Sequence, residues 1–188
     1  VHILVDLKGY TEGNRMDICA LRPAPVQVSY LGFPGTSGAD FFDYIVLDPI
    51  VAPEDHLKYY QEQPIYLPHS YQINDDTQKI SKAPVSRADF GLPEDAFIYC
   101  CFNQSYKIDA PVFDAWMDIL KRTPESVLWL FQSNPEASQA LRDEAKARDI
   151  DPARLVFAER LSKERHLARL KLADLALDTP VCNGHTTT

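Results

Sequence analysis

No stretch of this chain approaches the roughly 20 consecutive apolar residues that a membrane-spanning helix needs, and nothing at its start has the pattern of a signal peptide. The four cysteines, Cys19, Cys100, Cys101 and Cys182, contain no CxxC pair. That removes the commonest zinc and thiol-redox motifs and points to a reduced, cytoplasmic setting with no membrane partner. Basic charge is in short supply: 19 Lys and Arg stand against 27 Asp and Glu, a formal net charge of -8. Such a balance repels a polyphosphate backbone and argues against nucleic acid. It leaves room for a small phosphate ligand held by a few oriented amides and lysines. His2, His56 and His69 lack metal-ligand spacing, and the Asp75-Asp76 pair follows no strand-like run, so no metal is expected. An initial Met is missing as well. The chain opens on Val1-His2-Ile3-Leu4-Val5 and stops at Thr186-Thr187-Thr188, where a helix is expected to begin, and it reads as a fragment.

What the sequence does have is the make-up of an ordinary globular protein, with 45% hydrophobic and 24% charged residues over 188 positions, enough for one large core or two small ones. Short apolar runs at 2–6, 26–31, 44–47 and 65–67 alternate with Pro/Gly-rich loops and predict buried strands. The best helix signal in this part is 53–61. From Asn74 to Asp89 the chain turns polar and loses periodicity, which predicts a linker and two lobes, 1–77 and 78–188.

Beyond the linker the pattern becomes regular. Strands are expected at 97–102, 126–131, 155–158 and 175–177, with Cys100 and Cys101 on opposite faces of the first. Helices follow Asp109, Asn134 and Ser162. In the first of them Val112, Phe113, Trp116, Met117, Ile119 and Leu120 share one side. A β-α-β-α-β-α-β run implies a parallel, doubly wound sheet, and such sheets bind ligands beyond the carboxyl ends of their strands. The loops to inspect are therefore 103–107, 159–163 and 179–188.

Each loop carries residues with plausible chemistry. In Cys182-Asn183-Gly184-His185-Thr186-Thr187-Thr188, glycine permits close backbone approach, and threonine hydroxyls and first-turn amides suit a diphosphate. The same residues also fit a threonine-rich helix cap without a ligand. Gln104-Ser105-Tyr106-Lys107 aims a lysine at the same crevice, where it can neutralise a leaving phosphate. Lys163, His166 and Arg169 recur every three residues and predict a basic stripe on one helix, suited to a base and a ribose, or merely to solvent. In the first lobe, 21–27 and 31–38 either turn the chain or wall a cleft.

Taken together, these stretches resemble the O-linked N-acetylglucosamine transferases, the SPINDLY-like glycosyltransferase family 41. The resemblance is carried by Gly9-Tyr10-Thr11, Ala20-Leu21-Arg22-Pro23-Ala24-Pro25, Leu31-Gly32-Phe33-Pro34-Gly35-Thr36-Ser37-Gly38, Gly91-Leu92-Pro93-Glu94-Asp95-Ala96, Phe102-Asn103-Gln104 with Tyr106-Lys107-Ile108-Asp109, Ser126-Val127-Leu128-Trp129-Leu130, and Leu177-Asp178-Thr179-Pro180 through Thr187. It implies an α/β fold of the GT-B type with two Rossmann-like lobes, both incomplete in this chain. It also implies inverting, metal-independent transfer of N-acetylglucosamine from UDP-GlcNAc to Ser/Thr hydroxyls of proteins, with no cofactor.

By resemblance, Lys107 neutralises the β-phosphate, with Gln104 and Tyr106 beside it, while His185, Thr186 and Thr187 hold the diphosphate and Cys182 lies near the sugar. Lys163 contacts ribose, His166 and Arg169 flank uracil, and the Leu161 backbone reads the base edge. Gly32 and Pro34 line the sugar pocket, and Thr11 and Arg15 lie in a matching stretch. Leu161-Ser162 departs from the small residue and proline expected there. The family places a proposed catalytic histidine and tetratricopeptide repeats upstream of Val1. Two other readings fit the same pattern: a nucleotide-sugar-binding fragment without turnover, and a related O-fucosyltransferase or UDP-sugar epimerase.

Overall fold

The computed structural model describes residues 1–186, and the chain divides into two compact units, Val1–Asn74 and Asp75–Thr188. Four short parallel strands make the sheet of the first unit, in spatial order β1 (Ile3–Asp6), β2 (Val26–Ser29), β3 (Tyr44–Leu47) and β4 (Gln63–Tyr66). Strand β4 starts two residues before the expected apolar run and contains Pro64. A proline that reads against a strand is tolerated here because β4 lies at the edge of the sheet, with one side free of ladder bonds. The expected helix at 53–61 is a 3-10 helix, Glu54–Tyr59. A five-residue helix, α1 (Met16–Ala20), has no counterpart in the sequence reading: two inward residues, Met16 and Cys19, are too few to establish a period.

In the second unit the expected alternation holds. Strands β5 (Phe97–Cys101), β6 (Ser126–Phe131), β7 (Leu155–Ala158) and β8 (Leu175–Ala176) are all parallel and lie in the order β7-β6-β5-β8. Helices α2 (Ala110–Arg122), α3 (Pro135–Ala147) and α4 (Lys163–Leu170) provide the crossovers. The Asp109 carboxylate accepts from the Val112 amide to start α2, and Asn134 accepts from Ala137 to start α3. Ser162 stands before α4 as expected, but its hydroxyl makes no capping bond.

Alternation along β5 builds two cores. Tyr99 and Cys101 face Phe113, Trp116, Met117 and Leu120 of α2, while Ile98 and Cys100 pack with Leu92, Val127 and Trp129 on the other face. Burial pushes the Cys100 thiol up to about 11. The polar segment before β5 is tied to this unit rather than hanging free. The Ser81 amide donates to the Glu164 carbonyl, and the Arg87 guanidinium reaches the carbonyls of Glu94 and Ala96 and the carboxylate of Asp174. The sheet winds from β5 outward to β6 and β7, then reverses to β8, so its switch point lies between the carboxyl ends of β5 and β8.

Candidate functional site

At that switch point one carboxylate organises two loops. Asp178, two residues beyond β8, accepts at Oδ1 from the amides of Thr179 and Gly184, each at 2.8 Å, and from Asn103 Nδ2 at 2.9 Å. At Oδ2 it accepts from Asn183 Nδ2 at 2.8 Å. Burial works to raise this carboxyl, but the Gly184 and Thr179 amides, then Asn183 and Asn103, outweigh it and hold it below the usual range. Thr179 is fully buried; its hydroxyl donates to the Cys182 carbonyl and accepts from Asn103. The turn after β8 is thereby fastened to the loop after β5.

The β5 loop continues through Gln104 into a 3-10 turn, Ser105–Lys107. From it the Lys107 ammonium donates to the Asn183 carbonyl at 2.9 Å. Lys107 and the 179–186 segment, expected to converge, do converge. Gln104 Oε1 accepts from the Ser133 hydroxyl, which itself accepts from the Ser105 amide. Tyr106 is 81% exposed and stands away from these bonds. Cys182, His185 and Thr186 are exposed on the turn. Thr187 lies outside the described residues, and the helix expected to open here does not begin within them.

A cleft of about 390 Å³ lies beyond β5, β6 and β7, lined by Phe102, Gln104, Phe131, Leu161, Lys163 and His166, with Arg160 and Arg169 completing its wall. Five residues singled out in the sequence, Gln104, Leu161, Lys163, His166 and Arg169, thus share one concave surface. They do not form a solvated stripe. Lys163 is exposed, but Arg169 is only 1% exposed, its guanidinium 4.9 Å from the Phe102 ring centre and 5.6 Å from that of Trp129. Its Nη1 donates to the Glu159 carbonyl at 2.8 Å and its Nε to His166 Nδ1 at 3.1 Å. No carboxylate pairs with it among the described residues. His166, edge-on to Phe102, has its pKa lowered by burial and then by Arg169, and with Nδ1 accepting it carries its proton on Nε2.

In the first unit, Gly32 and Pro34 sit on a tightly held loop. Leu31 adopts φ 69°, a left-handed conformation that costs a leucine strain energy. A β-carbon on Gly32 would stand 2.4 Å from the Lys8 carbonyl oxygen, so only glycine fits there. The Tyr60 hydroxyl donates to the Pro34 carbonyl at 2.8 Å. Glu62, 3% exposed, accepts from the hydroxyls of Thr36 and Ser37 and from the Ser37 amide. Thr11 and Arg15 make local contacts, with the Lys8 carbonyl and with Asp17.

Sequence reasoning assigned no role to Asp178, Asn103 or Glu62. For the first two a signal existed, since each is a polar residue one or two places beyond a strand end. For Glu62 there was none. Among the described residues no group of three His, Cys, Asp or Glu side chains is arranged to hold a metal.

Known proteins resemble this chain in sequence and in fold. A probable UDP-N-acetylglucosamine–peptide N-acetylglucosaminyltransferase SEC of Arabidopsis thaliana is 45% identical over the whole of this chain, which covers 20% of that protein. The UDP-N-acetylglucosamine–peptide N-acetylglucosaminyltransferase of Caenorhabditis elegans is 30% identical, again over the whole chain and 26% of its own length. Among solved structures, a mutant of the Thermobaculum terrenum O-GlcNAc transferase superposes with a TM-score of 0.87 at 30% identity, covering 100% of this chain and 35% of that one. The chain therefore spans about a quarter or less of these two relatives. The two-lobed α/β fold expected from sequence is the fold of that structural neighbour. A model of the glycosyl transferase family 41 matches residues 1–84 and 79–188, and the chain belongs to that family.

Proposed function

We propose that the parent of this chain is a glycosyltransferase that moves N-acetylglucosamine from UDP-GlcNAc to Ser or Thr hydroxyls of acceptor proteins, with inversion and without a metal. The observation that carries the reading is the convergence of Lys107 and the 179–186 turn at the β5/β8 switch point, beside the cleft under α4. An acceptor hydroxyl attacks the anomeric carbon as the bond to the β-phosphate oxygen breaks, and the bonding pair leaves with UDP. Negative charge grows on the diphosphate. Only groups that meet this growing charge better than they meet the substrate accelerate the step.

Lys107 is the cation assigned to it, held by a neutral carbonyl that a phosphate oxygen outcompetes. His185 and Thr186 are assigned to the same diphosphate, with Gln104 and Tyr106 beside Lys107 and Cys182 toward the sugar. In the cleft, Lys163 is assigned to ribose and His166 and Arg169 to the base, with the Leu161 backbone at its edge; the size and aromatic walls of the cleft support a flat ring there. The buried, unpaired thiols of Cys19, Cys100 and Cys101 support a reducing compartment such as the cytoplasm.

Mass spectrometry of a Ser/Thr peptide incubated with the full-length parent and UDP-GlcNAc tests the proposal. A single N-acetylhexosamine adduct is expected. Free epimerised sugar without an adduct, or an adduct from a fucose donor instead, sinks it.

A further inference from the structure

We infer that Asp178 is a positioning residue for the leaving group, acting through Asn183 on Lys107. The inference rests on the proposed diphosphate site and extends it. One carboxylate ties Asn183 to the loop that carries Lys107. It accepts from the side chain of Asn183, whose carbonyl receives the lysine, and from Asn103, which sits on the same β5 loop as Lys107. The remaining two bonds, from the amides of Thr179 and Gly184, fix the turn on either side of Asn183.

Four donors converge on the ionised carboxylate, three on Oδ1 and one on Oδ2. An amide at this position has one acceptor oxygen and an NH2 group: with its oxygen kept where Oδ1 stands, its N–H groups meet Asn183 Nδ2, and the tie survives only if the Asn183 carboxamide turns over. The tie to Asn183 is then lost or remade in another geometry, and the Asn183 carbonyl no longer has a fixed place. A lysine with four rotatable carbons loses its aim when its resting partner moves.

Two other roles are distinguishable. A charge acting through space opposes an anionic leaving group, so its removal would tighten UDP binding and quicken turnover. Asn183 bonds to both groups, to Lys107 through its carbonyl and to Asp178 through its side chain, so the two charges stand close enough for this alternative to matter. A carboxylate that only closes a turn would affect folding alike whether or not Lys107 is present.

The experiment is a double-mutant cycle in the full-length parent with Asp178→Asn, Lys107→Ala and the pair, reading kcat, KM for UDP-GlcNAc and Kd for UDP, with thermal melts alongside. Asp178→Asn is expected to lower kcat by on the order of tenfold while KM changes little, and the pair is expected to be no slower than Lys107→Ala alone. A rate equal to wild type, a faster rate with tighter UDP, or losses that multiply in the pair would each overturn the inference. If Asp178→Asn does not fold, Asn183→Ala severs only the Oδ2 tie, and the same non-additivity with Lys107→Ala is expected. A parent that binds UDP but transfers no sugar overturns the proposed function alone. The cycle read on UDP affinity then decides for Asp178: weakening that appears only when Lys107 is present supports it, and equal weakening in both backgrounds overturns it. A parent that does not bind UDP overturns both.

Discussion

The Lys107 ammonium and the Asn183 carbonyl meet at 2.9 Å although 76 residues separate them in sequence. The contact closes the switch point of the second sheet and parks a full positive charge where a diphosphate is proposed to depart. Lys107→Ala in the parent is expected to lower kcat by on the order of a hundredfold, the usual cost of losing one charge contact made in a transition state. Lys107→Arg is expected to recover only part of the loss, because a longer, planar guanidinium spreads its charge and does not place it at the single point that an ammonium occupies. Steady-state rates at saturating UDP-GlcNAc check both; a wild-type kcat for Lys107→Ala removes the lysine from the chemistry.

Arg169 is a buried guanidinium with no carboxylate partner among the described residues, set against Phe102 and Trp129. Desolvating such a charge costs several kcal/mol, while stacking returns about 2 kcal/mol and its charged hydrogen bonds about 1.5–3 kcal/mol each. The balance is near zero, so the guanidinium adds little to the fold, and its place on the cleft wall is the reason to test it for a role in ligand binding. Arg169→Met is expected to leave the urea midpoint of the chain nearly unchanged and to weaken UDP binding to the parent by about tenfold, roughly 1.4 kcal/mol. A large drop in midpoint with unchanged UDP affinity would assign Arg169 to the core instead.

His166 has a folded-state pKa below its ordinary 6.5 because burial and Arg169 disfavour the imidazolium. Between that folded value and 6.5 the unfolded chain binds more protons than the folded one, so stability rises with pH across the window. The contribution is complete above about pH 6.5 and is lost as pH falls through the folded value. Denaturation midpoints of the chain at a series of pH values between 5 and 7.5 are expected to fall toward acid, and His166→Gln to flatten that limb. An identical slope in the variant would assign the effect elsewhere.

Much of the second unit is legible in the sequence because its elements are bounded by strong local signals. Strands β6 and β7 match the expected ranges residue for residue, and Asp109 and Asn134 cap the helices they were expected to cap. Most of what escaped in the site has one physical origin, which is distance along the chain. The period of three that puts Lys163, His166 and Arg169 on one face is visible in sequence. That Phe102 and Trp129 come from β5 and β6 to cover Arg169 is not. Asp178 looks like an ordinary polar residue after a strand until Asn103 and Asn183 are seen to share it. Short elements escaped for a second reason: α1 and the 3-10 turn Ser105–Lys107 bury too few side chains to leave a rhythm.

Glu62 is buried in the first unit, where burial works to raise its carboxyl and the hydroxyls of Ser37 and Thr36 and the Ser37 amide together hold it below its ordinary range. Glutamine has one acceptor oxygen for three donors, so Glu62→Gln is expected to destabilise the chain by about 1–3 kcal/mol and loosen the loop that carries Gly32 and Pro34. The charge contributes stability above the unfolded-state pKa, about 4.5, and that contribution is lost as pH falls through the lower folded value. Urea unfolding near neutral pH and near pH 3 checks this: the gap between wild type and variant is expected to narrow in acid. A gap that persists unchanged at pH 3 would mean the carboxylate charge is not what holds the loop.

A crystal structure of the full-length parent with UDP bound tests the central claim most directly. The account predicts the uracil ring in the cleft between Leu161 and His166 and a β-phosphate oxygen within about 4 Å of the Lys107 ammonium, which will have exchanged the Asn183 carbonyl for it. A UDP molecule seated elsewhere, or bound in that cleft with its diphosphate turned away from Lys107, would contradict it.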